Sequence, residues 1–214
     1  MQQHNVSFNF KARYCTQGSV SNHTERIWLI CHGYGQLAPY FIKKFAALPI
    51  HDRVIVPEGL SRFYMNGFSG RVGATWMTKE ERLTDIDNYL TYLSEVYHLE
   101  VQPYIGNGIE VNLLGFSQGA STISRFAVQQ RIGFDRLVLW AGVFPPDTDM
   151  AAAKDRLYGK AVYMVYGNAD NIIQPKHVAE QRTAIQQLGI KPAEIVYDGG
   201  HDIMEQPLLQ LINS

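Results

Sequence analysis

Val111-Asn112-Leu113-Leu114-Gly115-Phe116-Ser117-Gln118-Gly119-Ala120 joins a short apolar run to a Gly-x-Ser-x-Gly turn, and a helix-like segment from Ala120 to Arg131 follows at once. Glycine is common enough that the bare motif arises by chance in about one chain in ten of this length, so its setting decides its meaning. Val111, Leu113 and Leu114 have strand character, and the motif begins where they end. Beyond it Ile123, Ala127 and Gln130 recur at helical spacing, with Ala120, Phe126 and Ile132 adding apolar surface. A serine on such a strand–turn–helix corner projects its hydroxyl at the carboxyl end of a sheet, where a base can reach it. A serine hydroxyl alone is a poor nucleophile at neutral pH, so the reading requires partners.

Working outward, strand-like runs occur at Asn5–Tyr14, Arg26–Cys31, Arg53–Pro57, Glu110–Phe116, Arg136–Ala141, Ala161–Tyr166 and Glu194–Tyr197. The central ones are continuous apolar runs, such as Leu137-Val138-Leu139-Trp140, which suits strands buried on both faces of a parallel sheet. Helix-like stretches alternate with them at Pro39–Leu48, Thr78–Tyr97, Gln118–Arg131, Pro175–Leu188 and Ile203–Leu211. Thr78-Lys79-Glu80-Glu81 reads as a capping box with Thr78 as the cap. The alternation predicts a three-layer α/β domain spanning residues 1–214, with a mostly parallel central sheet and helices on both faces. The first two strands are separated only by a turn around Gly18–His23, so an antiparallel pair is open to them. Residues 57–77 break the pattern and read as an irregular loop over the sheet edge that carries Ser117, where ligands bind in such folds.

Composition narrows the functional classes. The chain has 214 residues, 46% of them hydrophobic and 18% charged, which fits one globular domain. Net charge is −1 and the 19 Lys and Arg residues are scattered, so no basic stripe points to nucleic acid. The strongest apolar run, Ile27–Cys31, is too short to span a bilayer, and Met1–Asn5 lacks signal-peptide character. Cys15 and Cys31 form no Cys-x-x-Cys pair and suit buried free thiols in a cytoplasmic protein.

Two residues answer the demand for partners. Asp170 follows the strand Val165-Tyr166-Gly167 and His201 follows Val196-Tyr197, so both leave carboxyl ends of strands at the edge expected for Ser117. His201 would take the Ser117 proton, and Asp170 would fix the tautomer and stabilise the imidazolium. Asp147 and Asp149 are alternative acids. Asp202 adjoins His201 and is badly placed to orient its ring, while the other histidines lie on turns, termini or helix surfaces, His32 apart. Trp28-Leu29-Ile30-Cys31-His32-Gly33-Tyr34-Gly35 is a second apolar strand ending in a glycine-rich turn. Acyl transfer needs amides aimed at the developing oxyanion, and the pair expected here is the backbone N–H of Tyr34 and of Gln118.

These features resemble the phospholipase/carboxylesterase family of α/β-hydrolases. The matching residues are His32-Gly33-Tyr34-Gly35, Gly115-Phe116-Ser117-Gln118-Gly119-Ala120, Asp170 after Tyr166-Gly167-Asn168-Ala169, and Gly200-His201. The resemblance implies an α/β-hydrolase fold and hydrolysis of a small-molecule carboxylic ester, or a thioester, through an acyl-enzyme on Ser117. It implies no metal, no cofactor, no nucleic acid and no integral membrane association, and it leaves a homodimer open. Family members carry a proline-rich stretch, Asn-Gly and a Met/Trp pair near the acyl site. Pro57, Asn66-Gly67 and Trp76-Met77 parallel these, whereas Ser61–Met65 and Phe68–Arg71 depart from the pattern. Phe63, Tyr64, Phe68 and Trp76 are the candidate substrate contacts, although aromatics serve cores as readily as pockets. With few residues beyond the site loops, an open site for short or medium acyl groups is expected. Lysophospholipase or peptidase activity, and a non-catalytic binding module, are the competing readings.

Overall fold

Neighbouring side chains of a strand point to opposite faces, so a strand that is apolar throughout needs cover on both sides. A computed structural model describes residues 1–214 and supplies that cover. The elements run β1 (Tyr14–Gln17), β2 (Arg26–Cys31), α1 (Ala38–Phe41), β3 (Arg53–Pro57), β4 (Ser61–Asn66), β5 (Ser69–Thr75), α2 (Arg82–Glu100) and β6 (Glu110–Phe116). They continue with α3 (Gln118–Gln129), β7 (Arg136–Trp140), α4 (Met150–Leu157), β8 (Ala161–Gly167), α5 (Pro175–Gln187), β9 (Ala193–Tyr197) and α6 (Glu205–Ile212). Seven strands form one sheet in the order β1-β3-β2-β6-β7-β8-β9, parallel except for β1 at the edge.

The period of two sorts each strand between two cores. Ile27, Leu29, Val111, Leu113, Leu137 and Leu139 pack on the face covered by α2, α3, α4 and α5. Trp28, Ile30, Leu114, Phe116, Val138 and Trp140 pack on the face covered by α1 and α6. Each of these side chains is essentially free of solvent, a burial worth about 1.5–3 kcal/mol for each Val, Leu, Ile or Phe. The parallel order then sends β2, β3, β6, β7, β8 and β9 to one edge by their carboxyl ends.

Several elements differ from the sequence reading. Only Tyr14 of the expected strand Asn5–Tyr14 belongs to β1, and Val6, Phe8 and Phe10 stand exposed, because the sheet ends at β1 and no layer receives them. β1 pairs antiparallel with β3 rather than with β2, since β3 occupies the place beside β2. The stretch read as an irregular loop over 57–77 is largely an antiparallel hairpin, β4 with β5, in which Tyr64 faces Val72 and Asn66 faces Ser69. Its turn is Gly67-Phe68, with Gly67 at φ 63°. Thr78 caps nothing: α2 starts at Arg82 after Glu81 in a left-handed conformation, and the Thr78 hydroxyl donates to the Glu80 carbonyl. The helix expected over Pro39–Leu48 is the single turn α1 followed by a 3₁₀ turn at Ile42–Phe45. Helix α4 was not anticipated, and Asp149 caps it by accepting from the Ala151 and Ala152 amides.

Candidate active site

Ser117 stands between β6 and α3 at φ 54° and ψ −119°, a conformation that costs a non-glycine residue about 1–3 kcal/mol. The surroundings hold it there. The Ser117 amide donates to the Trp140 carbonyl at 2.9 Å. Side chains at Gly115 and Gly119 would collide with backbone, that of Gly119 itself at Gly115 and that of Cys31 at Gly119. The elbow is therefore tight because α3 starts directly against the end of β2. That close approach brings the His32–Gly35 loop to the serine.

Asp170 and His201, the expected acid and base, follow the ends of β8 and β9. β8 and β9 pair as far as Gly167 with Tyr197, and beyond the sheet the Asn168 amide donates to Tyr197 O and the Ala169 amide to Gly199 O, both at 2.9 Å. The two loops are thus joined, and His201 Nδ1 meets Asp170 Oδ2 at 2.8 Å. The other carboxylate oxygen, Asp170 Oδ1, accepts from the amides of Ile172 and Ile173 at 2.8 and 2.9 Å. Trp140 Nε1 donates to the Asp202 carbonyl at 2.9 Å and anchors the His201 loop from below. The His201 ring packs on Phe116, the residue before Ser117, with centroids 4.9 Å apart. Of the alternative acids, Asp147 is taken by Arg82 and Arg125; burial opposes its charge, but those hydrogen bonds prevail and hold it at about 2. Asp149 is the α4 cap, and Asp202 pairs with Lys44.

In the loop after β2 the amides on either side of Tyr34 are both bonded. Gly33 N donates to Gln36 Oε1 at 2.8 Å and Gly35 N to Ala74 O at 2.8 Å. The Tyr34 N–H has no protein acceptor. His32 orients it indirectly. Its Nε2 accepts from the Gly59 amide at 2.9 Å, which leaves Nδ1 protonated to donate to the Gly33 carbonyl at 2.7 Å. A trans peptide points its N–H opposite its C=O, so tying down the Gly33 carbonyl turns the Tyr34 amide the other way. Burial depresses His32 to about 4, so the ring is neutral in this role. The second expected donor, the Gln118 amide, lies in the first turn of α3, where amides have no intrahelical acceptor.

Residues expected to contact substrate are scattered by the fold. Phe63 packs on Tyr34 with centroids 5.1 Å apart, so it borders the His32–Gly35 loop. Tyr64 is half exposed on the same hairpin, and Phe68 stands almost fully exposed at its tip. Trp76 is instead a core residue, 2% exposed, stacked on His32 and donating Nε1–H to the His32 carbonyl at 2.8 Å. The sequence reading missed the side chain of Gln118. Its Oε1 accepts from Trp76 N at 3.2 Å and its Nε2 donates to Met77 O at 2.9 Å, which ties the elbow to the end of the hairpin. No group of three or more His, Cys, Asp or Glu side chains is arranged to hold a metal ion.

The strand order and the edge where these loops meet are those of an α/β-hydrolase. Residues 18–214 match the family model described as Phospholipase/Carboxylesterase, and the chain belongs to that family. Membership makes it a hydrolase of the esterase or thioesterase type. Acyl-protein thioesterase 2 of Zea mays is similar in structure, with a TM-score of 0.71 at 17% identity over 95% of this chain and 99% of that one. The esterase PE8 follows at TM-score 0.69 and 16% identity, covering 95% and 97% of the two chains. The Bacillus cereus carboxylesterase has a TM-score of 0.66 at 14% identity, covering 96% and 93%. At such identities the likeness carries the fold. No curated protein sequence matches the chain. No helix is long and apolar enough to cross a membrane.

Proposed function

We propose that the protein is a serine carboxylesterase that cleaves small or medium-chain carboxylic esters through an acyl-enzyme on Ser117. The observation that carries this reading is the His201–Asp170 pair, bonded at 2.8 Å, packed against the strand end that presents Ser117 in a left-handed turn. With Nδ1 bound to Asp170, His201 keeps Nε2 free to accept a proton. Ser117 Oγ attacks the carbonyl carbon as its proton passes to Nε2, and the imidazolium is held by the Asp170 charge. The oxyanion is received by the Tyr34 and Gln118 amides, each such donor being worth about 10²–10³ in rate. Collapse expels the alcohol, which takes the proton from His201. Water then attacks the acyl-enzyme by the same route and frees Ser117. No step calls for a metal or cofactor.

A thioester fits the same geometry, because His201 can protonate a departing thiolate as well as an alkoxide. Phe63, beside Tyr34, is the aromatic best placed to meet the substrate. The test is labelling with a fluorophosphonate probe followed by peptide mapping, then turnover of matched esters and thioesters of increasing acyl length. An adduct on Ser117 is expected. Unlabelled wild-type protein, under conditions where a control esterase reacts, would leave a non-catalytic binding module as the better reading.

A further inference from the structure

A cavity of about 650 Å³ opens beside the oxyanion loop, between Gly35–Gln36, the α1 turn and strand β5. Its walls tie it to the reaction centre from three sides. Gly35 and Gln36 follow directly on Tyr34. Phe41 packs on Phe116, against which the His201 ring also packs. Lys44 is bonded to Asp202, the residue after His201, at 2.6 Å. The only charged residues lining the cavity are Lys44 and Arg71, and no acidic residue lines it. Arg71 has no carboxylate partner and makes no hydrogen bond, whereas Arg13 and Arg62 are both absorbed by buried Glu58. With Lys44 neutralised by Asp202, the cavity is left with one uncompensated positive charge beside the His32–Gly35 loop.

We propose that this cavity receives one flank of the substrate and that the substrate carries a carboxylate, which pairs with Arg71. The inference rests on the esterase reading above for the position of the scissile bond. Leu37, Tyr40 and Phe41 supply an apolar wall for the carbon chain, and Arg71 offers a planar fork to the anion. A single surplus charge suits a monocarboxylate and leaves a phosphate dianion half compensated.

The experiment compares kcat/KM for mono(4-nitrophenyl) adipate and its neutral methyl diester, which places the anion on the acyl side. A second pair, 4-acetoxybenzoate and methyl 4-acetoxybenzoate, places it on the leaving-group side. One pair should favour the anion by about tenfold, as expected for a charge-assisted hydrogen bond. In Arg71→Gln that ratio should fall to about one, and Arg71→Lys should restore most of it. Calorimetry with monomethyl adipate reads the same site without turnover, and its Kd should rise about tenfold in Arg71→Gln. An anion-to-neutral ratio of about one in both pairs, or a Kd indifferent to Arg71→Gln, overturns the proposal. Fluorophosphonate labelling of Ser117 separates the two failures, since a labelled enzyme with no anion preference refutes only the cavity.

Discussion

Asp170→Asn should abolish turnover by a route that the structure dictates atom by atom. Asp170 Oδ1 accepts two backbone N–H groups, from Ile172 and Ile173, while Oδ2 faces His201 Nδ1. An asparagine at 170 cannot turn its amide nitrogen toward the two amides, because donors would face donors. Its carbonyl must take the Oδ1 position, so its NH₂ must face His201 Nδ1. Nδ1 then has to be the unprotonated nitrogen, which puts the remaining proton on Nε2. A base whose reactive nitrogen already carries a proton cannot take another from Ser117. Loss of the correct tautomer in a serine triad lowers kcat by about 10⁴, and that magnitude is expected here. The fold should survive, since the loop amides keep their acceptor. Asp147→Asn is the control: it breaks the pairs with Arg82 and Arg125 without touching His201, so it should cost stability and leave kcat within about threefold. The assay is p-nitrophenyl ester hydrolysis alongside circular dichroism. A loss under tenfold in Asp170→Asn, or a larger loss in Asp147→Asn, would refute the tautomer argument.

Three further outcomes follow from the site. Ser117→Gly should stabilise the protein by about 1 kcal/mol in urea unfolding, since relief of about 1–3 kcal/mol of backbone strain exceeds the glycine entropy cost of about 0.5–1 kcal/mol. Ser117→Ala keeps the strain and should match wild type in stability, both variants being inactive; Ser117→Gly falling below Ser117→Ala would contradict the strain. Gly119→Ala places a methyl against the Cys31 backbone and should destabilise by about 1–3 kcal/mol, read as a lower Tm, with activity reduced because the oxyanion loop shifts. His32 gives a pH dependence of stability. Its folded pKa is depressed by burial from 6.5 to about 4, so between those values the unfolded chain binds the extra proton and stability declines as pH falls. The gap corresponds to about 3 kcal/mol by pH 4, and urea midpoints measured from pH 7 to 4 should decline less steeply in His32→Asn than in wild type. Parallel slopes would show that His32 does not titrate in this way.

The central strands were legible because both of their faces are apolar, a pattern few arrangements other than a covered parallel sheet can bury. Ser117 was legible because Gly115 and Gly119 flank it where a strand turns into a helix. The β4–β5 hairpin was harder to see, although Asn66-Gly67 is a turn signal; Gly70, Gly73 and the aromatics on both faces hid its alternation. The Thr78 capping box failed for a tertiary reason. Gln118 binds Met77 O, which fixes the chain just before Thr78 and delays the helix to Arg82.

By itself, then, the sequence determined the strand–helix alternation and nominated Ser117, His201 and the His32–Gly35 turn, since each follows from local pattern at a strand end. It could not choose firmly among Asp147, Asp149 and Asp170, nor say whether Trp76 faced substrate or core. Those questions concern which loops meet in space. The tertiary structure pairs β8 with β9, which sets Asp170 against His201 and favours it as the acid, and it seats Trp76 in the core between His32 and Tyr89. It also placed the unpaired Arg71 beside the oxyanion loop, a juxtaposition made only when the hairpin folds back onto Gly35.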